Sequence, residues 1–170
     1  MKCKYKLLII GCFAISFFPL ALIGYMGIYT KIKLSEMESR RKLLLYETNP
    51  QSILVACREL SNNVINGQLN YGIYLPFDKN DKKQIPQLIL NLHPVRVDIE
   101  KSGIINIMMS PDVMYGVLAL PENYYKKNDD TFIKEDMVEL ANGLWYYDEN
   151  FKNHPECKKE LEIFLQRKAH

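Results

Sequence analysis

The chain has 170 residues, with 22 Lys and Arg against 20 Asp and Glu and a net charge of +2. This balance offers no basic stripe of the kind that nucleic acid binding needs, so no nucleic acid partner is expected. Leu, Ile, Val and Phe are too frequent for a disordered tail, and no repeat of roughly 20–50 residues points to a solenoid.

The first element in chain order is the uncharged run Leu7–Tyr29, LLIIGCFAISFFPLALIGYMGIY, held between Lys2, Lys4 and Lys6 on one side and Lys31 and Lys33 on the other. At about 1.5 Å per residue it makes a helix of roughly 34 Å, enough to cross a hydrocarbon core of about 30 Å. Residues 1–30 are therefore expected to form a single-pass membrane anchor, with the lipid bilayer as the partner of residues 7–29. Tyr5, Tyr25 and Tyr29 fit interfacial aromatic positions, and Pro19 is an irregularity that lipid-embedded helices tolerate. A cleaved signal peptide fits less well, because its apolar core would run about 7–15 residues and end at a small-residue cleavage site. A lipoprotein signal ending at Cys12 in Ile9-Ile10-Gly11-Cys12 would turn polar after the cysteine, where this chain stays apolar. Lysines flank both ends of the run, and a short basic amino terminus ordinarily stays inside. The soluble domain is thus expected outside the cytoplasm, on a protein of the cell membrane.

Residues 31–48 read as a juxtamembrane helical stalk, with Glu36 or Glu38 at pairing distance along the helix from Arg40, Arg41 or Lys42. Residues 49–170 then form one α+β globular domain. Asn49-Pro50 is a helix start, Ile53, Leu54, Cys57 and Leu60 recur at helical spacing over 50–61, and Asn62-Asn63 with Asn66-Gly67 stop that helix. Residues 68–83 read as irregular chain, and Ile85–Leu92 as a short helix between Pro86 and Pro94.

Alternation of Val95, Val97 and Ile99 with Arg96, Asp98 and Glu100 is the period of a half-exposed strand. Lys101-Ser102-Gly103 turns it into a partner strand over Ile104–Met109. Met114–Leu120 is a third strand and Leu144–Asp148 a fourth, with a short helix predicted around Lys134–Ala141 and a last helix after Pro155. The expected fold is an antiparallel sheet of about four strands with helices packed on one face, behind a single amino-terminal transmembrane helix.

Ala56-Cys57-Arg58-Glu59-Leu60, Ile85-Pro86 leading to Leu92-His93-Pro94, and Gly143-Leu144-Trp145-Tyr146-Tyr147-Asp148 together resemble a group of small uncharacterised bacterial proteins, often membrane-anchored. The resemblance implies a shared domain over most of residues 50–148 and no particular reaction.

Candidate chemistry is sparse. His154 and Cys157 have a spacing that could ligate a metal, but no second pair accompanies them, so no metal site is expected. His93 reads as a helix-end residue, and His170 has no companion motif. No phosphate-binding loop, dinucleotide fingerprint or nucleophile elbow occurs, and no cofactor is expected. Trp145, Tyr146 and Tyr147 are the candidate recognition surface; if Trp145 and Tyr147 enter the core, Leu144 and Tyr146 face the other side. Cys57 and Cys157 sit on apolar helix faces and form either two separate thiols or a disulfide, the latter needing an oxidising compartment. Two functions stay open: an interaction or accessory domain, with another envelope protein as partner, and a membrane-tethered small-molecule sensor or enzyme with a site assembled from distant residues.

Overall fold

The structure is a computed structural model that describes residues 2–111, 114–122, 124 and 136–168, with side chains from residue 22 onward. Two compact units divide the chain, Met1–Ser39 and Arg40–His170. Helix α1 runs Lys2–Lys42. Within the first unit its apolar residues are bare: Ile23, Tyr25, Met26 and Ile28 are each more than half exposed, with Tyr25 stacked on Tyr29. The larger part of the Leu7–Tyr29 run, up to residue 21, lies outside the residues whose side chains are described. Among the described residues no helix is long and apolar enough to cross a membrane.

The second unit opens with the last turn of α1 and a π-helical turn, Leu43–Glu47, in which Leu44 and Leu45 are buried. Helix α2, Pro50–Ile65, starts as its sequence dictates: the Asn49 side chain accepts from the Gln51 amide at 2.9 Å, and Pro50 takes the first position, where no amide is needed. Ile53, Leu54, Cys57, Leu60 and Val64 form its buried stripe. The helix runs two residues past Asn62-Asn63 and is capped by Asn66.

Among the described residues, six strands make one antiparallel sheet. They are β1 Gly72–Tyr74, β2 Arg96–Ile99, β3 Ile105–Met108, β4 Tyr115–Ala119, β5 Met137–Ala141 and β6 Leu144–Asp148, in the order β1-β2-β3-β4-β6-β5. The expectation of four strands is corrected by two additions. Strand β1 lies in the stretch read as irregular, where it pairs Ile73 with Asp98. Strand β5 replaces the helix expected around Lys134–Ala141, and its described residues pair with β6 from Met137↔Tyr147 to Ala141↔Leu144. Residues 125–135 lie outside the described ones. The β2–β3 turn works as read: the Gly103 amide donates to Glu100 at 2.9 Å and Gly103 takes a φ of 86°, which glycine adopts without penalty.

Short helices complete the unit: α3 Lys79–Lys82, α4 Gln87–Leu90, α5 Asn150–Asn153 and α6 Pro155–Lys168. The core lies on one face of the sheet, where Val97, Ile107, Val117, Leu144 and Tyr146 sit within 1 % exposure and α2 and α4 contribute Leu54, Cys57 and Ile89. The opposite face carries a smaller cluster of Ile104, Leu118 and Leu120, with Tyr124, Met137, Trp145 and Tyr147 packed around it.

Candidate functional site beside the end of the first helix

Neighbouring residues on a helix project about 100° apart, so Arg40 and Arg41 address different parts of the second unit. Arg40 Nη1 donates to the Met109 carbonyl at 3.1 Å. Arg41 turns to the end of β6, where its Nη2 lies 2.9 Å from Asp148 Oδ2, and its guanidinium sits 4.7 Å from the centre of the Tyr115 ring. Each arginine lines its own cleft.

The Arg41 cleft, about 440 Å³, is floored by Tyr146 and Asp148 and walled by Leu45, Phe151 and Leu161, with Tyr46, His154 and Cys157 also lining it. Its floor is dictated by β6. Alternating residues of a strand share a face, so Tyr146 and Asp148 stand side by side and the tyrosine hydroxyl donates to Asp148 Oδ2 at 2.7 Å. The Asn150 amide donates to Asp148 Oδ1 at 3.0 Å, so both carboxylate oxygens are engaged. The Asp148 side chain is 5 % exposed, and Arg41 opposite supplies the charge that such burial requires. Burial first, then the Asp148 carboxylate, push the Tyr146 hydroxyl well above its ordinary pKa of 10.0, while Arg41 pulls in the other direction. Arg41 Nε and Nη2 are shielded from water, and Nη2 faces Asp148 Oδ2 as an ion pair. Each oxygen of this carboxylate accepts one hydrogen bond and Oδ2 also faces Arg41, so Asp148 ties the end of β6 to Arg41 and to the start of α5.

The second cleft, about 420 Å³, runs between Arg40 and the α3–α4 segment. His93 lines it with a φ of 56°, a left-handed conformation that few residues other than glycine take readily. Helix α4 covers only Gln87–Leu90 of the expected Ile85–Leu92 and is capped by Asn91. His93 therefore lies beyond the helix end, where its amide donates to the Leu90 carbonyl at 3.0 Å and the residue lines the cleft.

The aromatic run of β6 divides between the two sheet faces in the sense opposite to the premise that Trp145 enters the core. Tyr146 is 1 % exposed and lies in the core, 5.8 Å edge-to-face from Phe151, whereas Trp145 and Tyr147 are half-buried on the outer face. The Tyr147 hydroxyl donates to Asn106 Oδ1 at 2.9 Å, and burial pushes its pKa up to about 12. Arg96 and Asp98 meet at 2.6 Å on this same face. The three aromatic residues therefore do not form one surface.

Cys57 and Cys157 are free thiols in opposite settings, the first buried and the second exposed. Burial raises Cys57 to about 12. His154 contacts Glu156 at 3.1 Å in the open, and among the described residues no cluster of His, Cys, Asp or Glu could hold a metal ion. Arg58 and Glu59 do not join His93: the Arg58 Nη2 donates to the Asn142 carbonyl at 3.3 Å, and Glu59 is exposed. That bond ties α2 to the β5–β6 turn, at the residue just before Gly143. The arginines that line the clefts escaped sequence reasoning, which placed Arg40 and Arg41 on a solvated stalk; Leu43-Leu44-Leu45, one residue further on, was the available signal of burial. No protein-family model, curated protein or solved structure matches the chain.

Proposed function

We propose that the chain is a single-pass membrane protein of the bacterial envelope, anchored through Leu7–Tyr29, whose α+β unit is a non-catalytic interaction or accessory domain outside the cytoplasm. The single observation that carries the non-catalytic reading is the dispersal of its reactive groups. His93, Arg58 and Glu59 do not converge, and Asp148 spends both oxygens on Tyr146, Arg41 and Asn150. The bare apolar residues from Leu22 to Leu34 support the anchor, since lipid would cover them without any protein partner. The resemblance carried by A-C-R-E-L and G-L-W-Y-Y-D is consistent with a shared domain in other anchored proteins.

Extraction of the intact protein from native membranes, followed by chemical crosslinking and mass spectrometry, tests the reading: a stoichiometric envelope protein should be recovered. Labelling of Cys157 by a membrane-impermeant maleimide on intact cells should succeed. Protection of Cys157 until lysis would place the unit inside. A second reading, a membrane-tethered small-molecule sensor or enzyme, is favoured by the 440 Å³ of the Arg41 cleft, a volume typical of ligand pockets at roughly 300–1,000 Å³. Tight, specific retention of a metabolite through purification would establish it.

A further inference from the structure

We propose that the cleft between Arg40 and the α3–α4 segment binds an organic anion, a carboxylate or phosphate carried on an apolar stem. Its lining brings together Arg40, Lys82 and His93 with Phe77, Leu90 and Pro94, and among the described residues no acidic side chain lines it. The carboxylates of the α3 segment are bound to backbone amides and do not line the cleft. Asp78 Oδ1 accepts from the amides of Asn80 and Asp81, and Asp81 Oδ2 accepts from the Leu75 amide at 2.8 Å. Arg40 is held in place by the neutral Met109 carbonyl, which fixes the guanidinium at the wall without cancelling its charge. A pre-positioned, uncompensated cation is a better anion receptor than a free one, since less side-chain entropy is lost on binding.

Apolar walls specify the rest of the ligand. Phe77 is 78 % exposed, the most exposed large hydrophobic residue among the described ones, and it stands at the same cleft as the three basic side chains. An inorganic anion would leave that ring in water; an anion with a short hydrocarbon stem would cover it. The inference is independent of the accessory-domain reading, because an assembly subunit and a sensor could both carry such a site. Two sources share this chemistry, a free organic acid or phosphate ester and the headgroup of an anionic lipid.

The test uses the full chain in phosphatidylcholine nanodiscs, with histidine-ring NMR as the readout and hexyl phosphate as the probe. Hexyl phosphate should move the His93 ring signal saturably while leaving His154 and His170 in place. Lys82→Glu, at an exposed position that should not disturb folding, should weaken binding at least about tenfold. Phe77→Ser should abolish the preference for hexyl phosphate over inorganic phosphate. Uniform, unsaturable drift of all three imidazoles, or unchanged affinity in Lys82→Glu, would overturn the proposal. Nanodiscs containing phosphatidylglycerol separate the sources: a shifted His93 signal and competition with hexyl phosphate assign the site to a lipid headgroup, and their absence alongside probe binding assigns it to a free anion.

Discussion

Leu144, Tyr146 and Asp148 leave β6 on one side of the sheet, Trp145 and Tyr147 on the other, and the two sides are held together differently. On the helix-covered side the aliphatic residues are sealed from water and the polar atoms of Tyr146 and Asp148 are matched to each other and to Arg41. On the outer side a half-buried aromatic pair borders a polar strip in which Tyr147 binds Asn106 and Arg96 meets Asp98. The first arrangement stabilises by excluding water; the second retains side chains that water can partly reach. An aromatic strand can therefore supply core and surface at once, and parity along the strand decides which residue does which.

The contrast can be broken most directly on β6. Tyr146→Ala should cost about 3–5 kcal/mol in denaturant unfolding of the full chain in zwitterionic micelles, followed by circular dichroism, and Trp145→Ala roughly half as much. Equal losses would mean that the two faces are energetically alike. Asp148→Ala should cost about 2–4 kcal/mol, because it leaves the partly buried Arg41 without its counter-charge and the Tyr146 hydroxyl and Asn150 amide without their acceptor. If Arg41→Met combined with Asp148→Ala recovers part of that loss, the cost belongs to the stranded charge rather than to lost packing.

Alkaline titration sharpens the same comparison by timing. Burial raises Cys57 from 9.0 to about 12, so the folded protein keeps a proton that the unfolded chain releases. Stability is then full below about pH 9 and falls as pH rises toward 12, by on the order of 4 kcal/mol from this thiol alone. Tyr147, raised from 10.0 to about 12, adds a loss of the same sign that begins near pH 10, as does the raised Tyr146. Cys57→Ala should thus move the onset of alkaline destabilisation from near pH 9 to near pH 10, measured as melting temperature against pH. An unmoved onset would show that Cys57 is not sealed.

The smallest effect concerns the seam of the outer face. A Cβ at Gly116 would run into the Ile107 carbonyl and the Tyr147 ring and hydroxyl, so Gly116→Ala should cost about 1–3 kcal/mol. Its melting temperature should fall while the core-face environment of Tyr146 stays unchanged by NMR.

Sequence periodicity revealed the middle of this fold and failed at its edges. The alternation through Val97 and Ile99 and the Asn49-Pro50 start of α2 state their structures locally, and both are found where expected. Strand β1 has three residues between Gly and Pro signals, too few for a period to show. In β5, Met137-Val138-Glu139-Leu140-Ala141 mixes helix formers with a single β-branched residue, and only pairing with β6 makes it a strand. Asn142-Gly143, a stop signal in the sequence, closes the β5–β6 hairpin. Parity in β6 was illegible because Trp145 and Tyr146 are equally apolar on paper. The tie to Asp148, two residues further on, is what suits Tyr146 to the interior. The clefts were beyond reach, since each joins the end of α1 to residues distant in the chain.

The contrast between the two thiols of the second unit supplies a built-in clock. Cys157 stands in water and Cys57 has no exposed surface, so a small alkylating reagent meets the first directly and the second only when α2 parts from the sheet. Under pulsed labelling, with peptide mapping to separate them from Cys3 and Cys12, Cys157 would report reagent supply and Cys57 the frequency of opening. Their ratio would measure the breathing of the domain in the full chain, with no probe added to it.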